Sequence, residues 1–147
     1  LVSNIFQKAF GERPEELFDT FSNKAINAAS MGQVHQATIG EKKFAVKIQY
    51  PGIADYVQSD LAMVKPIALA MFNLNPADYR EFIQEVEARL LEETDYELEL
   101  QRSVELSGKC SHIKGVVFPK YYPAWSSQKV LTMDWIEGKP LGEFLKN

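Results

Sequence analysis

The stretch Asn27-Ala28-Ala29-Ser30-Met31-Gly32-Gln33-Val34-His35 is rich in small residues and then turns abruptly polar. A short segment ending in Gly40 follows it, and then Lys43-Phe44-Ala45-Val46-Lys47-Ile48-Gln49-Tyr50. That second run has the pattern of a strand, with one lysine set inside apolar residues. A small-residue turn, a strand, a tight turn and a strand with a central lysine make up the order expected of a phosphate-handling site. The rest of the chain is read for the other parts of such a site.

Immediately around this unit, Lys24–Ile26 reads as a first strand, Gln33–Ile39 as a second and Lys43–Tyr50 as a third. Gly40-Glu41 makes a tight turn, and Pro51-Gly52 stops the third strand. Upstream, residues 3–10 form a short helix with Ser3 as its cap and Gly11 at its end. Pro14 opens a second short helix, with Glu15 and Glu16 in the first turn, where the helix dipole favours negative charge.

Downstream, residues 55–73 carry apolar side chains near helical spacing, and Pro66 predicts a kink or break there. Residues 67–72 are apolar almost all round. They read as a buried turn of helix or, alternatively, as a contact face for a further segment, a partner or a membrane surface. Asn75-Pro76 is a helix start signal. Thr94-Asp95-Tyr96-Glu97 matches a capping box, so a further helix begins at Thr94 and runs to Gly108. Residues 115–118 and 121–125 read as irregular strand, and Lys129–Ile136 as the clearest strand in the chain. Residues 137–140 end that strand, and residues 141–145 begin a helix. The layout is α+β, an antiparallel sheet with helices on one side.

Composition narrows the classes of function. A chain of 147 residues is one domain in size. Its 46% hydrophobic and 12% aromatic content suffices for a core. A net charge of −4 argues against nucleic acid as a partner. Cys110 is the single cysteine, so an internal disulfide is excluded. Leu1-Val2-Ser3-Asn4 shows no signal-peptide pattern and no initiator methionine, which reads as a piece of something longer. No apolar run approaches the roughly 20 residues of a membrane span.

A charged ammonium is costly to bury without a partner, so Lys47 wants an acid. The helical region offers Glu93, Asp95, Glu97 and Glu99. A lysine held by a helix carboxylate beside a small-residue turn holds nucleotide phosphates in protein kinases. A structural ion pair or a solvent-facing edge would leave the same pattern. His35 and His112 have no second ligand at metal-binding spacing and read as structural or surface residues. Tyr121, Tyr122 and Trp125 read as packing beneath the sheet rather than as a stacking platform for bases.

Several runs together closely resemble the UbiB (AarF-domain) family of atypical protein-kinase-like proteins. They are residues 28–37, 44–53, 91–99, 117–122 and 130–138, with the lead-in at 10–18. The resemblance covers essentially the whole chain and implies a kinase-like small lobe: a five-stranded antiparallel sheet with a helical insertion that contains the αC-like helix. Its parts would be a helical lead-in at 1–21, strands 1–3 with the alanine-rich loop at 24–50, helices at 54–109, strands 4–5 and hinge at 115–138, and a helix start at 139–147.

Residue by residue, the resemblance places Ala28, Ala29 and Ser30 in the alanine-rich loop over the nucleotide phosphates, with Gly32 and Gln33 also among the nucleotide-binding residues. A Cβ on each loop residue would crowd that backbone. Lys47 would contact phosphate and Glu99 would be its partner. Glu93 and Asp95 would be the regulatory Glu-x-Asp acids. Met133 would border the adenine pocket, with Asp134, Trp135 and Ile136 in the hinge. Ala25 and Asn27 depart from the proline and alanine common at those places, and Asn27 tolerates a left-handed backbone.

The resemblance implies ATP with Mg2+ as cofactors, the metal held by residues outside this chain, which itself supplies no metal ligand. It also implies a role in isoprenoid quinone (ubiquinone) biosynthesis, at the bacterial inner membrane or in mitochondria. A Lys-x-Gly-Gln element would precede residue 1, and a catalytic loop and an Asp-x-Gly would follow Asn147, so the chain alone would not transfer phosphate. Two rivals remain: a non-catalytic lipid- or protein-binding module, and an α+β interaction domain in which Lys47 is merely ion-paired. An isolated small lobe would also expose a surface able to dimerise.

Overall fold

The computed structural model describes residues 1–72, 76–139 and 141–145. The chain opens with α1 (Val2–Phe10) and α2 (Pro14–Leu17). Gly11 ends α1 in the left-handed conformation, with φ 76°. That backbone is cheap for glycine and strained for other residues. Leu1 rather than Ser3 occupies the capping position, and no side chain caps the helix.

Strands β1 (Thr20–Phe21), β2 (Asn27–Ala29), β3 (Gly32–Ile39), β4 (Lys42–Gln49) and β5 (Val130–Asp134) form one five-stranded sheet. Its order is β1-β3-β4-β5, with β2 also paired to β3, and every pairing is antiparallel. The expected strand at Lys24–Ile26 is not there; β1 and β2 flank it instead. The reason lies in the ladder. The Ser22 and Ile26 amides donate to the Gln36 and Val34 carbonyls at 2.9 and 2.8 Å. Three residues, 23–25, thus lie opposite one, His35, and the surplus bulges away from β3.

The expected strand at 115–118 is also absent. Tyr121 makes an isolated bridge to Met133, and the Tyr122 and Asp134 amides reach the Thr132 and Lys120 carbonyls at 2.9 and 2.8 Å. Pro119 and Pro123 have no amide hydrogen to extend this ladder. Residues 123–125 form a 3-10 turn instead of continuing as strand.

Alternation along β4 makes the two faces of the sheet different. Phe44, Val46 and Ile48 enter the core with Phe6, Phe18, Ala37 and Val130. Phe18 sits at its centre, with ring centroids at 6.4 Å from Phe6, 6.0 Å from Phe44 and 5.6 Å from Trp125. Tyr122 stacks on Trp125 at 5.3 Å, so these two rings extend the core beneath the sheet as expected. Ala45, Lys47 and Gln49 point to the other face, where a different helix meets them. The helices therefore cover both faces, not one.

Between β4 and β5 run α3 (Ile53–Phe72), α4 (Pro76–Glu92) and α5 (Tyr96–Lys109). Pro66 lies inside α3 without ending it. The buried reading of residues 67–72 is overturned for Ile67 and Met71, which are 58% and 73% exposed. Asn75, read as a cap, lies outside the described residues, as do Pro140 and the end of the chain. Asp95 rather than Thr94 caps α5, accepting from the Glu97 and Leu98 amides at 3.1 and 3.2 Å. The Thr94 hydroxyl donates instead to the Leu91 carbonyl at 2.7 Å, at the end of α4. After β5, the short α6 (Leu141–Phe144) is the last element.

Candidate functional site

The site is built on the α5 face of the sheet. Lys47 is central in β4, and its register neighbours Val34 and Leu131 flank it on β3 and β5. Its ammonium meets both oxygens of Glu99, at 3.0 Å to Oε1 and 2.7 Å to Oε2. The side chains are 16% and 33% exposed, so the pair is shielded but open along one side. Glu99 lies one turn into α5, and its reach depends on where that helix starts.

Three contacts fix that start. Asp95 caps it, the Tyr96 amide donates to the Gln128 carbonyl at 3.2 Å, and the buried Gln49 side chain donates to the Thr94 carbonyl. Tyr96 then turns its ring under Lys47, whose ammonium is 4.6 Å from the ring centroid. A cation over an aromatic face is attracted to it electrostatically. Burial, reinforced by the Glu99 and Glu93 carboxylates, pushes the Tyr96 phenol far above its usual range.

On the far side of β3 from Lys47 lies the alanine-rich segment, in a form the sequence reading did not anticipate. Ala28 and Ala29 belong to strand β2, paired with Gln33 and Gly32. Only Ser30 and Met31 make the turn, so the loop is the tip of a tight hairpin. The Tyr50 amide holds this tip by donating to the Met31 carbonyl at 3.1 Å. Gly32 is obligatory by space: a Cβ there would lie 2.2 Å from the Ile48 carbonyl oxygen and 2.8 Å from the Tyr96 hydroxyl.

At the other end, Met133 pairs with Ala45 on the Lys47 face. Asp134 differs. Its register partner is Phe44, which sends its carboxylate to the opposite face. There it accepts from the Tyr122 hydroxyl at 2.6 Å and pairs with Lys42 at 3.0 Å. Partial burial pushes the Asp134 carboxyl up, but the hydrogen bonds from Tyr122, Lys42 and the Lys120 amide outweigh it and leave it below the usual carboxylate range. Asp134 can thus face the Lys47 side of the sheet only along its backbone. The next amide, of Trp135, donates to the Lys43 carbonyl at 3.2 Å, and Ile136 follows in irregular chain.

Glu93 and Asp95 stand at the α4–α5 junction, but they are not equivalent. The Asp95 carboxylate serves the helix cap, while Glu93 and Glu99 border one small recess with Arg102. His35 is buried; its Nδ1–H donates to the Ser22 carbonyl at 2.8 Å and its ring stacks on Phe21, a structural role. His112 is exposed. Sequence reasoning missed Ala45, Gln49 and Tyr96. The two-residue period of β4 places Ala45 and Gln49 beside Lys47, and helical spacing places Tyr96 one turn before Glu99.

The family profile described as "ABC1 atypical kinase-like domain" matches residues 1–146. The chain belongs to the ABC1 atypical kinase-like family. Similar members of the family span several lineages. An Arabidopsis thaliana chloroplastic aarF domain-containing protein kinase is 34% identical over 95% of this chain and 21% of its own length. The Caenorhabditis elegans mitochondrial atypical kinase coq-8 is 32% identical, over 95% of this chain and 19% of its own. A Haemophilus ducreyi protein named probable protein kinase UbiB is 27% identical over 97% of this chain and 28% of its own.

Among solved structures, the Mycobacterium tuberculosis protein Rv3197 in complex with erythromycin superposes with a TM-score of 0.77 at 30% identity. That match covers 99% of this chain and 37% of that one. The ABC1 chain therefore spans between about a fifth and just over a third of these relatives. Among its described residues, no helix is long and apolar enough to cross a membrane. Nor does any group of three or more His, Cys, Asp or Glu among them form a metal site.

Proposed function

We propose that residues 1–147 are the nucleotide-clamping small lobe of an ABC1 atypical kinase or ATPase that takes ATP with Mg2+. The observation that carries this reading is the two-pronged Lys47–Glu99 pair on the α5 face of the sheet. A lysine fixed in this way presents its remaining donor capacity to a phosphate without reorganising. The residues on this face suit a nucleotide. Ala45 is small enough to leave room for a base beside Met133. The Asp134 carbonyl and Ile136 amide would meet the adenine edge, and Ala29 and Ser30 would roof the phosphates. Ala28 and Gln33, in register with the core residue Ile48, turn their side chains to the opposite face and would meet a phosphate only through their backbone.

Magnesium would arrive with the nucleotide and be held by residues of the large lobe, and phosphoryl transfer would need that lobe. Glu93, which makes no ion pair among the described residues, would meet an element from elsewhere in the whole protein, whereas Asp95 acts by setting α5. Support of isoprenoid quinone biosynthesis, at the bacterial inner membrane or in mitochondria, is the biological role we assign.

The test is calorimetric titration of the full-length protein with Mg·ATP. Lys47→Ala should weaken binding about tenfold or more, the scale of a lost charge-assisted hydrogen bond. Binding equal to that of the unmodified protein would overturn the proposal. One observation favours a second reading, a non-catalytic docking module: Tyr56, Met63, Ile67 and Met71 stand exposed on α3. That reading requires Lys47→Ala to leave Mg·ATP titrations unchanged.

A further inference from the structure

Tyr96 is completely buried, yet its hydroxyl has no hydrogen-bond partner among the described residues. A buried hydroxyl in that state is costly, and most proteins avoid it. Its position is specific. The ring lies under the Lys47 ammonium, and the hydroxyl stands against Gly32, the first residue of β3 after the hairpin turn. Two facts make β2, the outer strand of that hairpin, the movable side of the contact, while the Tyr50 amide ties the turn at Met31. Strand β2 is three residues long, with Asn27 and Ala28 exposed, whereas α5 is anchored at Asp95, Thr94 and Tyr96. Segments with few buried contacts open at the least cost.

We propose that Tyr96 is a positioning residue for phosphate binding, its hydroxyl gaining a backbone partner when the β2–β3 hairpin closes over a phosphate held by Lys47. The inference rests on the nucleotide reading above and deepens it. In this structure the hydroxyl is unpaired among the described residues. In the closed site it bonds the hairpin backbone, so the closed hairpin is favoured by that difference. A ligand shifts an equilibrium only through such a difference between states. The absence of a Cβ at Gly32 is what brings the backbone within reach, and the Lys47–Tyr96 stacking ties the same ring to the phosphate-binding lysine. Hairpin, lysine and helix α5 are thereby linked through one side chain.

The prediction has opposite signs in two measurements, which a purely structural tyrosine would not show. Tyr96→Phe keeps the ring and removes only the hydroxyl. In the full-length protein, the melting temperature without ligand should be equal to or above that of the unmodified protein. Mg·ATP affinity by calorimetry should fall about tenfold. Adenosine, which offers no phosphate to close upon, should bind both proteins alike. Mg·ATP binding unchanged in Tyr96→Phe would overturn this inference alone. Equal loss of adenosine and Mg·ATP binding would also overturn it, by showing a general defect. Absence of Mg·ATP binding in the unmodified protein would instead remove the nucleotide reading, and this inference with it.

Discussion

At the scale of the residue, what each side chain does depends on which face of the sheet it takes. Gly32 is the sharpest case. A methyl there meets a main-chain oxygen at 2.2 Å, which cannot be relieved by turning a flexible side chain. Gly32→Ala should therefore destabilise the protein by about 1–3 kcal/mol, the usual range for overpacking. Urea denaturation would measure it; an unchanged midpoint would show that the hairpin sits elsewhere in solution.

Asp134 makes a second prediction. Its carboxyl is held below the ordinary value of 3.8, so its stabilising contribution is present above that value. The contribution is lost as pH falls through the lower folded-state value. Lys42, its partner, is solvent-exposed, so the effect is modest. In Asp134→Asn the loss of stability as pH falls below the ordinary carboxyl value of 3.8 should be shallower than in the unmodified protein, as measured by acid titration of thermal melts. Identical acid limbs would contradict the pairing. The sequence placed Asp134 in the hinge but could not say that its carboxylate turns away from Lys47. That follows from the Phe44 register, which depends on how two distant strands align.

At the scale of the element, α5 matters most, because its start fixes Glu99. The helix begins at a cap whose carboxylate accepts two amide hydrogens. Asp95→Ala should cost about 0.5–2 kcal/mol of stability, and Asp95→Asn, also a good cap, should restore most of it. Chemical denaturation of the two variants checks this; equal losses would point to a charge-dependent role beyond the cap. The boundary was nearly legible in Thr94-Asp95-Tyr96-Glu97, where two adjacent residues can each cap. Thr94 was spent on closing α4, and that choice needed the helix before it. The first strand was misplaced for a comparable reason. A strand was expected at Lys24–Ile26, but the ladder to β3 resumes only at Ile26 and accommodates residues 23–25 as a bulge.

At the scale of the whole molecule, one aromatic core joins the lead-in helices to the sheet, and a separate face carries the candidate site. Phe18 touches the rings of Phe6, Phe21, Phe44 and Trp125 and is nearly fully buried. Phe18→Ala should cost about 3–5 kcal/mol, a large share of the stability of a domain this size. Its far side lies away from Lys47, so any loss of nucleotide binding should follow the loss of folded protein. Parallel melting curves and binding titrations at a temperature where the variant remains folded separate the two.

By itself the sequence determined the α+β layout, the lysine strand, the helix bearing its acids and the family. These are written in local periods of two and 3.6 residues and in short motifs, which neighbours in the chain suffice to specify. A charge in an apolar strand demands a partner, which directed Lys47 to the acids Glu93, Asp95, Glu97 and Glu99; only the family resemblance singled out Glu99. Only the tertiary structure decided that helices cover both faces of the sheet, that Ala28 and Ala29 are strand rather than loop, and that Tyr96 lies between hairpin and lysine. Each of those depends on register and close approach between segments far apart in the chain. Such contacts are set by packing and by which backbone groups find partners, and no local pattern records them.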